Sequence, residues 1–288
     1  MRNLLQTVEK VLDHDVPILI RGESGVGKGY LAEAIHACSA RRAEPFVHVD
    51  CATIPPDLFE SELFGYERGT FTDAVTRRLG RLELARGGSV YFDNIDTLTP
   101  ALQAKLLRVL QDRQFTRLGG NQNIAFSANV IASASSDLEA LMAAGTFRRD
   151  LFYRINVVTV TLPPLRERRD DIIPLAREFA GKRKTFDDDA ATLLRSHAWP
   201  GNVRELRNAI ERAVLTGEGS SIAADALPLS GPEFVTAAAQ GQWTLEQVEQ
   251  NYIRAVLRET RSNFSRAAEI LGINRKTLLE KRRKYGLD

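Results

Sequence analysis

The stretch Gly22-Glu23-Ser24-Gly25-Val26-Gly27-Lys28 decides the fold of this 288-residue chain. It has the spacing G-x-x-x-x-G-K and lies between a short apolar run, Val16–Ile20, and a helical pattern, Lys28–Cys38. Its glycines let backbone N–H groups turn inward around phosphate oxygens, and the Lys28 ammonium reaches the outer phosphates. The motif in this setting predicts a nucleotide-binding loop; the alternative is a glycine-rich turn with a solvated lysine.

The remainder of the first two hundred residues alternates short apolar runs with helical patterns. Short continuous strands separated by helices predict a parallel sheet covered on both faces. From Pro163 onward the strand signal stops, which predicts a small all-helical lobe over 164–228. The further apolar runs are Phe46–Val49, Ser89–Phe92, Val130–Ala132 and Val157–Leu162.

Composition excludes several classes of protein. Hydrophobic residues make up 43% and charged residues 26%, which is typical of a globular protein and excludes disorder. The formal net charge is +2, so any nucleic-acid surface must be local. No apolar run approaches the ~18–20 residues that cross a bilayer, and the two cysteines and four histidines show no metal-ligand spacing. A cytoplasmic location is the expectation.

A separate helical unit is predicted at 244–288, after a linker at 229–243 that is rich in Gly, Ala and Pro. Thr244 and Gln247 match a capping box at its start. The pattern is that of a helix-turn-helix, with helices expected from Leu245 to Leu257, over Phe264–Leu271 and over Arg275–Tyr285.

Basic residues crowd the last of these helices. Those near its start would face base edges and the later ones would lie on phosphates, so the pattern indicates binding of double-stranded DNA. The alternative is a solvated basic surface. The predicted DNA-binding residues are Asn274, Arg275, Lys276, Thr277, Lys281, Arg282 and Arg283.

An aspartate, Asp93, follows the apolar run Ser89–Phe92. In proteins with a phosphate-binding loop, an acidic residue at the end of a buried strand organises Mg²⁺. The alternative is an aspartate that caps the following turn. Gly29 stands where a Ser or Thr would normally ligate the metal. A metal would therefore depend on phosphates, water and carboxylates such as Asp93.

The whole chain resembles the AAA+ activators of sigma-54 RNA polymerase, the bacterial enhancer-binding proteins. The resemblance is carried by Gly22–Gly29, Glu60–Ala74, Leu162–Arg168 and Trp199–Leu206, and the last helices resemble the Fis-type DNA-binding domain. It implies an α/β fold: an AAA+ P-loop NTPase with a parallel sheet at 1–163, a small all-helical lid at 164–228 and a C-terminal helix-turn-helix domain. Because no receiver or sensor domain precedes the sheet region, we expect either a fragment or regulation by a separate protein.

The resemblance also implies a mechanism. ATP with Mg²⁺ would lie between the subunits of a ring, expected to be a hexamer with dimeric DNA-binding domains. Hydrolysis would drive a surface loop against sigma-54 and remodel the closed promoter complex. Arg148 and Arg154 would be trans-acting arginine fingers, or else surface ion-pair partners, and Arg204 would sense nucleotide. The implied sigma-54 contact loop is Gly69, Thr70, Phe71, Thr72, Asp73 and Ala74.

The sequence departs from the family pattern at Asn94, where the family has the glutamate that polarises the attacking water. An amide cannot accept that proton, and loss of a general base costs ~10²–10⁴-fold in rate. Asp50 stands where the family usually has an asparagine. The acid and the amide of the family's Asn/Glu pair have therefore changed places in this chain, as Asp50 and Asn94. Our hypothesis is that Asp50 orients the water with Asn94 as its hydrogen-bond partner. Asp96 is a second candidate if the strand continues that far.

Further departures are Ser135, at the position of the sensor asparagine, and Asp73, which replaces a glycine in the contact loop. They keep a second function open. In that alternative the chain is a DNA-binding regulator whose AAA+ module hydrolyses ATP slowly or only senses it, without coupling to sigma-54.

Overall fold

The computed structural model describes residues 8–12, 14–72, 74–181, 184–216, 221–227, 244–260 and 263–286. The chain forms two compact units, one of residues 1–179 and 199–208 and one of residues 180–198 and 209–288. Asp73 and the predicted linker at 229–243 lie outside the described residues. None of the helices in the described ranges has the length and apolar character needed to cross a membrane.

Strands and helices alternate along the first unit, as the sequence predicts. Its strands are β1 (Ile18–Arg21), β2 (Phe46–Asp50), β3 (Gly65–Tyr66), β4 (Arg78–Leu79), β5 (Ser89–Asp93), β6 (Gln114–Phe115), β7 (Ile124–Ala125), β8 (Asn129–Ala134) and β9 (Val158–Thr161). Its helices are α1 (Lys28–Cys38), α2 (Pro56–Phe64), α3 (Arg81–Leu84), α4 (Pro100–Asp112), α5 (Leu138–Ala143), α6 (Arg149–Ile155) and α7 (Ile172–Ala180), which ends one residue into the second unit.

Five strands form the central sheet in the order β2-β5-β8-β1-β9, and every pairing is parallel. The predicted parallel sheet is therefore confirmed. Asp50 of β2 is paired in register with Asp93 of β5. Because the carboxyl ends of parallel strands meet at one edge, both carboxylates lie at the edge where β1 leads into the glycine-rich loop.

Side chains of the central strands alternate between two cores. Val90 and Phe92 of β5 pack in one cluster with α2, α4 and α6, while Tyr91 between them packs on the other face. That second face is covered by α1 through Leu31 and Ile35. Burial on both faces explains why these strands read as continuous apolar runs rather than alternating ones.

The second unit begins with a mainly helical part, formed by α8 (Asp188–Ser196) and the end of α9 (Asn202–Thr216). The expectation of an all-helical lobe needs correction, because β10 (Thr185–Phe186) and β11 (Ser221–Ile222) form a short parallel pair there. Two-residue strands carry too little apolar pattern to be recognised in a sequence.

The last three helices of the second unit are α10 (Leu245–Glu259), α11 (Phe264–Ile270) and α12 (Arg275–Tyr285). Thr244 and Gln247 form the predicted capping box, with the Thr244 N–H donating to Gln247 Oε1 at 2.9 Å. Ala267 and Ala268 are buried where α11 packs against its neighbours. Small side chains there allow the close helix crossing of a helix-turn-helix.

Candidate functional site

The glycine-rich loop lies between β1 and α1, where the sequence predicts it. Gly22 and Gly25 have φ angles of +152° and +76°. A Cβ at Gly22 would lie 2.9 Å from the carbonyl oxygen of Leu162, and one at Gly25 would clash with the carbonyl of Gly201. Both positions therefore need glycine. Helix α1 starts at Lys28 without a side-chain cap, so the backbone N–H groups of its first turn can serve an anion.

Lys28 is held at the centre of this loop and is only 7% exposed. Its Nζ donates to the carbonyl oxygens of Gly22 (2.8 Å) and Glu23 (3.2 Å) and to Ser135 Oγ (2.6 Å). Burial lowers the pKa of Lys28, and the charge of Asp93 opposes that shift. The ammonium is thus desolvated, and these three acceptors are all neutral. A bound phosphate would replace such an acceptor and form a stronger, charge-assisted hydrogen bond with Lys28.

Asp93 is held by donors at the end of β5. Its Oδ1 accepts hydrogen bonds from the Tyr91 hydroxyl (2.8 Å) and from Ser133 Oγ, and its Oδ2 lies 3.6 Å from His48 Nε2. Burial acts to raise the pKa of Asp93, but the hydrogen bonds from His48, Ser133 and Tyr91 outweigh it and keep that pKa below the usual range. The carboxylate is therefore ionised at neutral pH.

The residues of the site fit a Mg²⁺ that arrives with phosphates rather than one held in a protein cage. Along the described parts of the chain, no cluster of three His, Cys, Asp or Glu residues could hold a metal. Gly29 supplies no side-chain oxygen, yet a Cβ there would meet only the Tyr91 ring, at 3.8 Å. Crowding therefore does not forbid a hydroxyl at Gly29, and Asp93 is the carboxylate that could orient the metal.

Asn94 and Asp50 are in contact. Asn94 has left-handed backbone angles, φ 54° and ψ 48°, and its N–H donates to Asp93 Oδ1 and Ser133 Oγ, both at 3.1 Å. Its Nδ2 donates to Asp50 Oδ1 at 3.3 Å. The structure thus contains the hydrogen bond on which our hypothesis for Asp50 depends.

Ser135 extends this pair to Lys28. Its Oγ accepts from Lys28 Nζ at 2.6 Å and donates to Asn94 Oδ1 at 3.5 Å. Hydrogen bonds therefore run from Lys28 through Ser135 and Asn94 to Asp50. Three of the residues at which this sequence departs from the family pattern, Asp50, Asn94 and Ser135, are therefore neighbours.

The expectation for Asp96 was conditional on a longer strand, and it is wrong. Strand β5 ends at Asp93, and residues Ile95–Thr97 form a 3₁₀ turn after the left-handed Asn94. Asp96 Oδ2 instead accepts the backbone N–H of Ser136 at 3.1 Å, and its Oδ1 is buried with no hydrogen-bond partner in the described structure.

A clamp of polar side chains, Glu23, Arg166 and Asn202, holds the glycine-rich loop from outside. Arg166 donates through both terminal nitrogens to the Glu23 carboxylate, at 2.9 and 2.5 Å. Asn202, fully buried, donates to Glu23 Oε2 at 3.0 Å and accepts the Leu165 N–H at 2.8 Å. Glu23 belongs to the predicted nucleotide-binding loop, and its carboxylate is engaged by Arg166 and Asn202.

Arg204 and Val26 complete the contacts of the loop. Arg204 NH1 donates to Ser24 Oγ at 2.9 Å, so the predicted nucleotide-sensing arginine lies at the loop. Val26 is a buried core residue, and its carbonyl accepts from Arg168 at 2.7 Å. Gly27, with φ +105°, precedes the helix.

The clamp gives a pH-dependent prediction. Hydrogen bonds from Arg166 and Asn202 lower the pKa of Glu23 from 4.5 to about 2. A depressed carboxylate pKa stabilises the fold above pH 4.5, and that stabilisation is lost as the pH falls towards about 2. We expect Glu23→Gln to lower the free energy of unfolding at neutral pH by no more than about 1 kcal/mol, since the pair is partly solvated. Urea denaturation should show the difference from wild type shrinking with acidification; a difference constant with pH contradicts the assignment.

The two predicted finger arginines lie near the ends of α6 and differ in their surroundings. Arg148 precedes the helix, has a side chain that is 45% exposed, and donates twice to Asp150, at 3.1 and 2.7 Å. Arg154 donates from Nε and NH2 to the carbonyl oxygen of Leu110, at 3.1 and 2.8 Å. Both side chains are exposed, but Arg148 is bound to the exposed Asp150, whereas Arg154 caps the end of α4.

The predicted contact loop is closed at its base by β3 and β4, which pair antiparallel. Phe71 is 44% exposed and packs edge-on against the Tyr66 ring, with centroids 4.8 Å apart. Gly69 N–H donates to the Ala74 carbonyl at 2.8 Å, and Thr72 is exposed. Thr70 Oγ1 donates to the Leu118 carbonyl at 3.0 Å, beside β6.

Arg117, which sequence reasoning missed, ties that loop to the body of the unit. It is 7% exposed and ion-pairs with Glu67 at 2.6 Å and Glu83 at 2.6 Å, one before and one after the loop tip. Breaking a buried ion pair leaves an uncompensated charge, so Arg117 fixes both ends of the loop. Arg117 lies 34 positions from Glu83 and 50 positions from Glu67 along the chain, which explains why no local pattern revealed these ion pairs.

The basic helix α12 divides into two groups. Asn274 caps its start by accepting the Thr277 N–H at 2.8 Å, and Arg275, Lys276 and Arg283 are exposed. The second group makes contacts within the unit: Lys281 ion-pairs with Glu249 at 2.5 Å, and Arg282 lies 5.2 Å from the Phe264 ring.

A parallel sheet with a glycine-rich loop at the end of a central strand, Lys28 within the loop and Asp93 beside it defines a P-loop NTPase of the α/β class. Residues 1–161 match the sigma-54 interaction domain, 166–242 the AAA+ ATPase lid domain, and 244–285 the bacterial regulatory protein, Fis family. The chain belongs to the sigma-54 interaction domain family, with an AAA+ lid and a Fis-type helix-turn-helix.

Curated relatives agree with this assignment. The chain is 45% identical to the transcriptional regulatory protein ZraR of Klebsiella oxytoca, over 98% of this chain and 66% of that protein. It is 43% identical to the regulatory protein AtoC of Escherichia coli, over 100% of this chain and 66% of that protein. The chain thus spans about two thirds of the length of these relatives.

Among solved structures, NtrX from Brucella abortus in complex with ATP is similar. The TM-score is 0.73 with 38% sequence identity, covering 99% of this chain and 67% of that one. NtrX in complex with ADP gives a TM-score of 0.71 with 37% identity.

Proposed function

We propose that the chain is an ATP-driven transcription activator that binds upstream DNA and remodels sigma-54 RNA polymerase in an oligomeric ring. The observation that carries the proposal is the edge of the sheet where buried Lys28 and ionised Asp93 flank a glycine-rich loop. Family membership, and the ATP complex of the similar NtrX, support a triphosphate as the ligand. We place the chain in the cytoplasm, where that polymerase works.

The residues of the loop divide the work of binding. Backbone N–H groups of Gly25 to Gly29 surround the phosphates, and Lys28 exchanges its contact with Ser135 for one with a phosphate oxygen. Mg²⁺, when bound, neutralises phosphate charge during transfer. Asp93 orients it, and Arg204, next to Ser24, reports occupancy of the loop.

Asp50 orients the attacking water in this proposal. Among the described residues its Oδ1 accepts the Ala52 N–H at 3.0 Å and the Asn94 amide at 3.3 Å, which fix the carboxylate. Oδ2 is then the oxygen that accepts a proton from water. The Asn94 amide supplies the orientation that an asparagine at position 50 supplies in the family pattern.

Arg148 acts on the nucleotide of a neighbouring copy. It is exposed on the surface of its own unit, where its guanidinium pairs with the equally exposed Asp150. Its planar fork then stabilises the charge of the transferred phosphoryl group. Chemistry at a seam, the contact between two neighbouring copies, requires an assembly, and we propose a hexameric ring.

Phe71 and Thr72 form the surface that contacts sigma-54. The exposed Phe71 ring offers an apolar anchor, and the Thr72 hydroxyl beside it offers a hydrogen bond. Part of the Phe71 ring packs against Tyr66. Arg117 holds both ends of the contact loop through Glu67 and Glu83. A movement of the first unit therefore also moves the tip of this loop.

Helix α12 would lie in the major groove of DNA, with dimerised domains reading a two-fold site. Exposed Arg275 at its start faces base edges, and exposed Arg283 faces phosphates. We expect Arg275→Ala to cost about 1–3 kcal/mol at the specific site and to relax its sequence preference. Arg283→Ala should weaken specific and random DNA alike and reduce the salt slope by about one. Fluorescence anisotropy over a salt series tests both; equal behaviour of the two variants contradicts the division.

The second candidate, a regulator that binds nucleotide without appreciable hydrolysis, is favoured by Asn94 at the glutamate position. Steady-state ATPase at ring-forming concentration, followed by sigma-54-dependent open-complex formation, separates the two. Turnover and open complexes that both require Lys28 support an activator. Tight ATP binding without turnover supports the second candidate and contradicts the first.

A further inference from the structure

Gln103 is a buried polar side chain that the proposed function does not use. It lies on α4 and is 0% exposed, although burying an amide is costly unless it is hydrogen-bonded. Its Nε2 donates to the carbonyl oxygens of Leu98 at 2.8 Å and Thr146 at 2.9 Å, and its Oε1 accepts the backbone N–H of Arg148 at 2.8 Å. One side chain thus joins two loops that are distant in sequence.

The two loops belong to different parts of the site. Leu98 ends the turn that begins at Asn94, since its N–H donates to Ile95 at 3.3 Å and that of Thr97 to Asn94 at 3.0 Å. Residues 146–148 connect α5 with α6. Gln103 therefore spans from the turn beside the water-orienting pair to the segment that carries Arg148.

The backbone of Arg148 is fixed while its side chain is not. The residue has φ −76° and ψ 131°, and no side chain caps α6 at this position. Phe147, the preceding residue, is buried and its N–H donates to Leu141 at 3.2 Å. The Arg148 side chain is 45% exposed, and its guanidinium is held only by Asp150 among its described contacts. Gln103 and the buried Phe147 thus fix the position of the Arg148 backbone, from which the side chain extends.

We infer that Gln103 is a positioning residue that holds the Arg148 backbone so that its guanidinium reaches the nucleotide of the neighbouring copy. The inference rests on the proposed action of Arg148 across the seam. A displacement of about 1 Å at a catalytic group can cost about 100-fold in rate. Three buried hydrogen bonds to one amide restrict such a displacement, and the link to Leu98 ties the finger to the turn after Asp93.

Mixed rings separate positioning from general stability. Gln103→Met keeps the volume of the side chain and removes all three hydrogen bonds. We expect its kcat for ATP to fall by about tenfold or more while the Kd for a fluorescent ATP analogue changes by less than about twofold. Mixing it with Lys28→Ala, which has an intact finger, should restore activity. Mixing it with Arg148→Ala should not, since neither copy then presents a working finger.

His36→Leu is the matched control, because His36 is also buried and bonds to Ser89 Oγ at 2.9 Å and the Glu44 carbonyl at 3.1 Å. It should lower the melting temperature without any dependence on the partner in mixed rings. Equal behaviour of Gln103→Met in both mixtures overturns the inference. Should Gln103→Met not fold, Gln103→Asn keeps a neutral amide but shortens the side chain by one methylene, so it cannot span the three partners and should show the same dependence.

The same experiment distinguishes the two levels of the account. If Lys28→Ala fails to restore Arg148→Ala, the action of Arg148 across the seam is wrong and the role of Gln103 falls with it. If Arg148→Ala is restored but Gln103→Met shows no preference between partners, only the role of Gln103 is wrong.

Discussion

Replacing Arg148 by alanine is expected to lower the kcat of ATP hydrolysis by about 10³-fold or more, with little change in nucleotide affinity. An arginine that enters a site from a neighbouring copy acts on transition-state charge and contributes about 10³–10⁵ in rate. Arg148 suits that role because it is exposed and bound locally only through the exposed Asp150 pair in the described structure. Steady-state ATPase and equilibrium binding of an ATP analogue give the two quantities.

Arg149→Ala is the matched control for this prediction. Arg149 is the next residue and is also exposed, yet it begins α6 one position further along. It should leave kcat within about threefold of wild type. An equal loss from both substitutions would show that the surface charge of this segment matters and not a specific finger.

The second large effect is expected at Asp50. Asp50→Asn preserves shape but removes the carboxylate, so we expect kcat to fall by about 10²–10⁴-fold. The double variant Asp50→Asn with Asn94→Glu transfers the carboxylate to the position where the family has it. Because the two side chains already lie 3.3 Å apart, the exchange keeps the hydrogen bond and should recover most of the lost rate.

The control for Asp50 is Asp57→Asn, an exposed acid in the first turn of α2 that should be neutral. Wild-type turnover in Asp50→Asn contradicts the role of Asp50. If the single variant is slow but the double variant gains nothing, Asp50 matters but is not interchangeable with a carboxylate at position 94.

Local patterns account for what the sequence predicted well. The sheet follows from short apolar runs, and the loop from glycines at positions where a Cβ would collide, as at Gly25. Helices α1 and α12 start and end at the predicted residues. The sequence predicts α10 from Leu245 to Leu257, but the apolar residues of this helix are not all buried. Ile253 and Val256 are buried, whereas Leu245 is 88% exposed, because a helical period indicates a face without showing where its cover ends.

What the sequence did not reveal depends on partners far apart along the chain. Glu23 lies 143 positions from Arg166 and 179 from Asn202, and no spacing rule connects them. Gln103 reads as a polar residue within an amphipathic helix until Arg148, 45 positions on, is brought against it. The expectation for Asp96 failed for a different reason, because the left-handed turn at Asn94 ends the strand.

The most direct test of the account mixes Lys28→Ala with Arg148→Ala. Each variant alone should be nearly inactive, one because its loop cannot bind phosphates and the other because it presents no finger. In a randomly mixed ring, about one seam in four combines an intact loop with an intact finger from its neighbour. We expect ATPase activity in the mixture at about a quarter of the wild-type rate. A mixture as inactive as its components would contradict hydrolysis at a seam between copies.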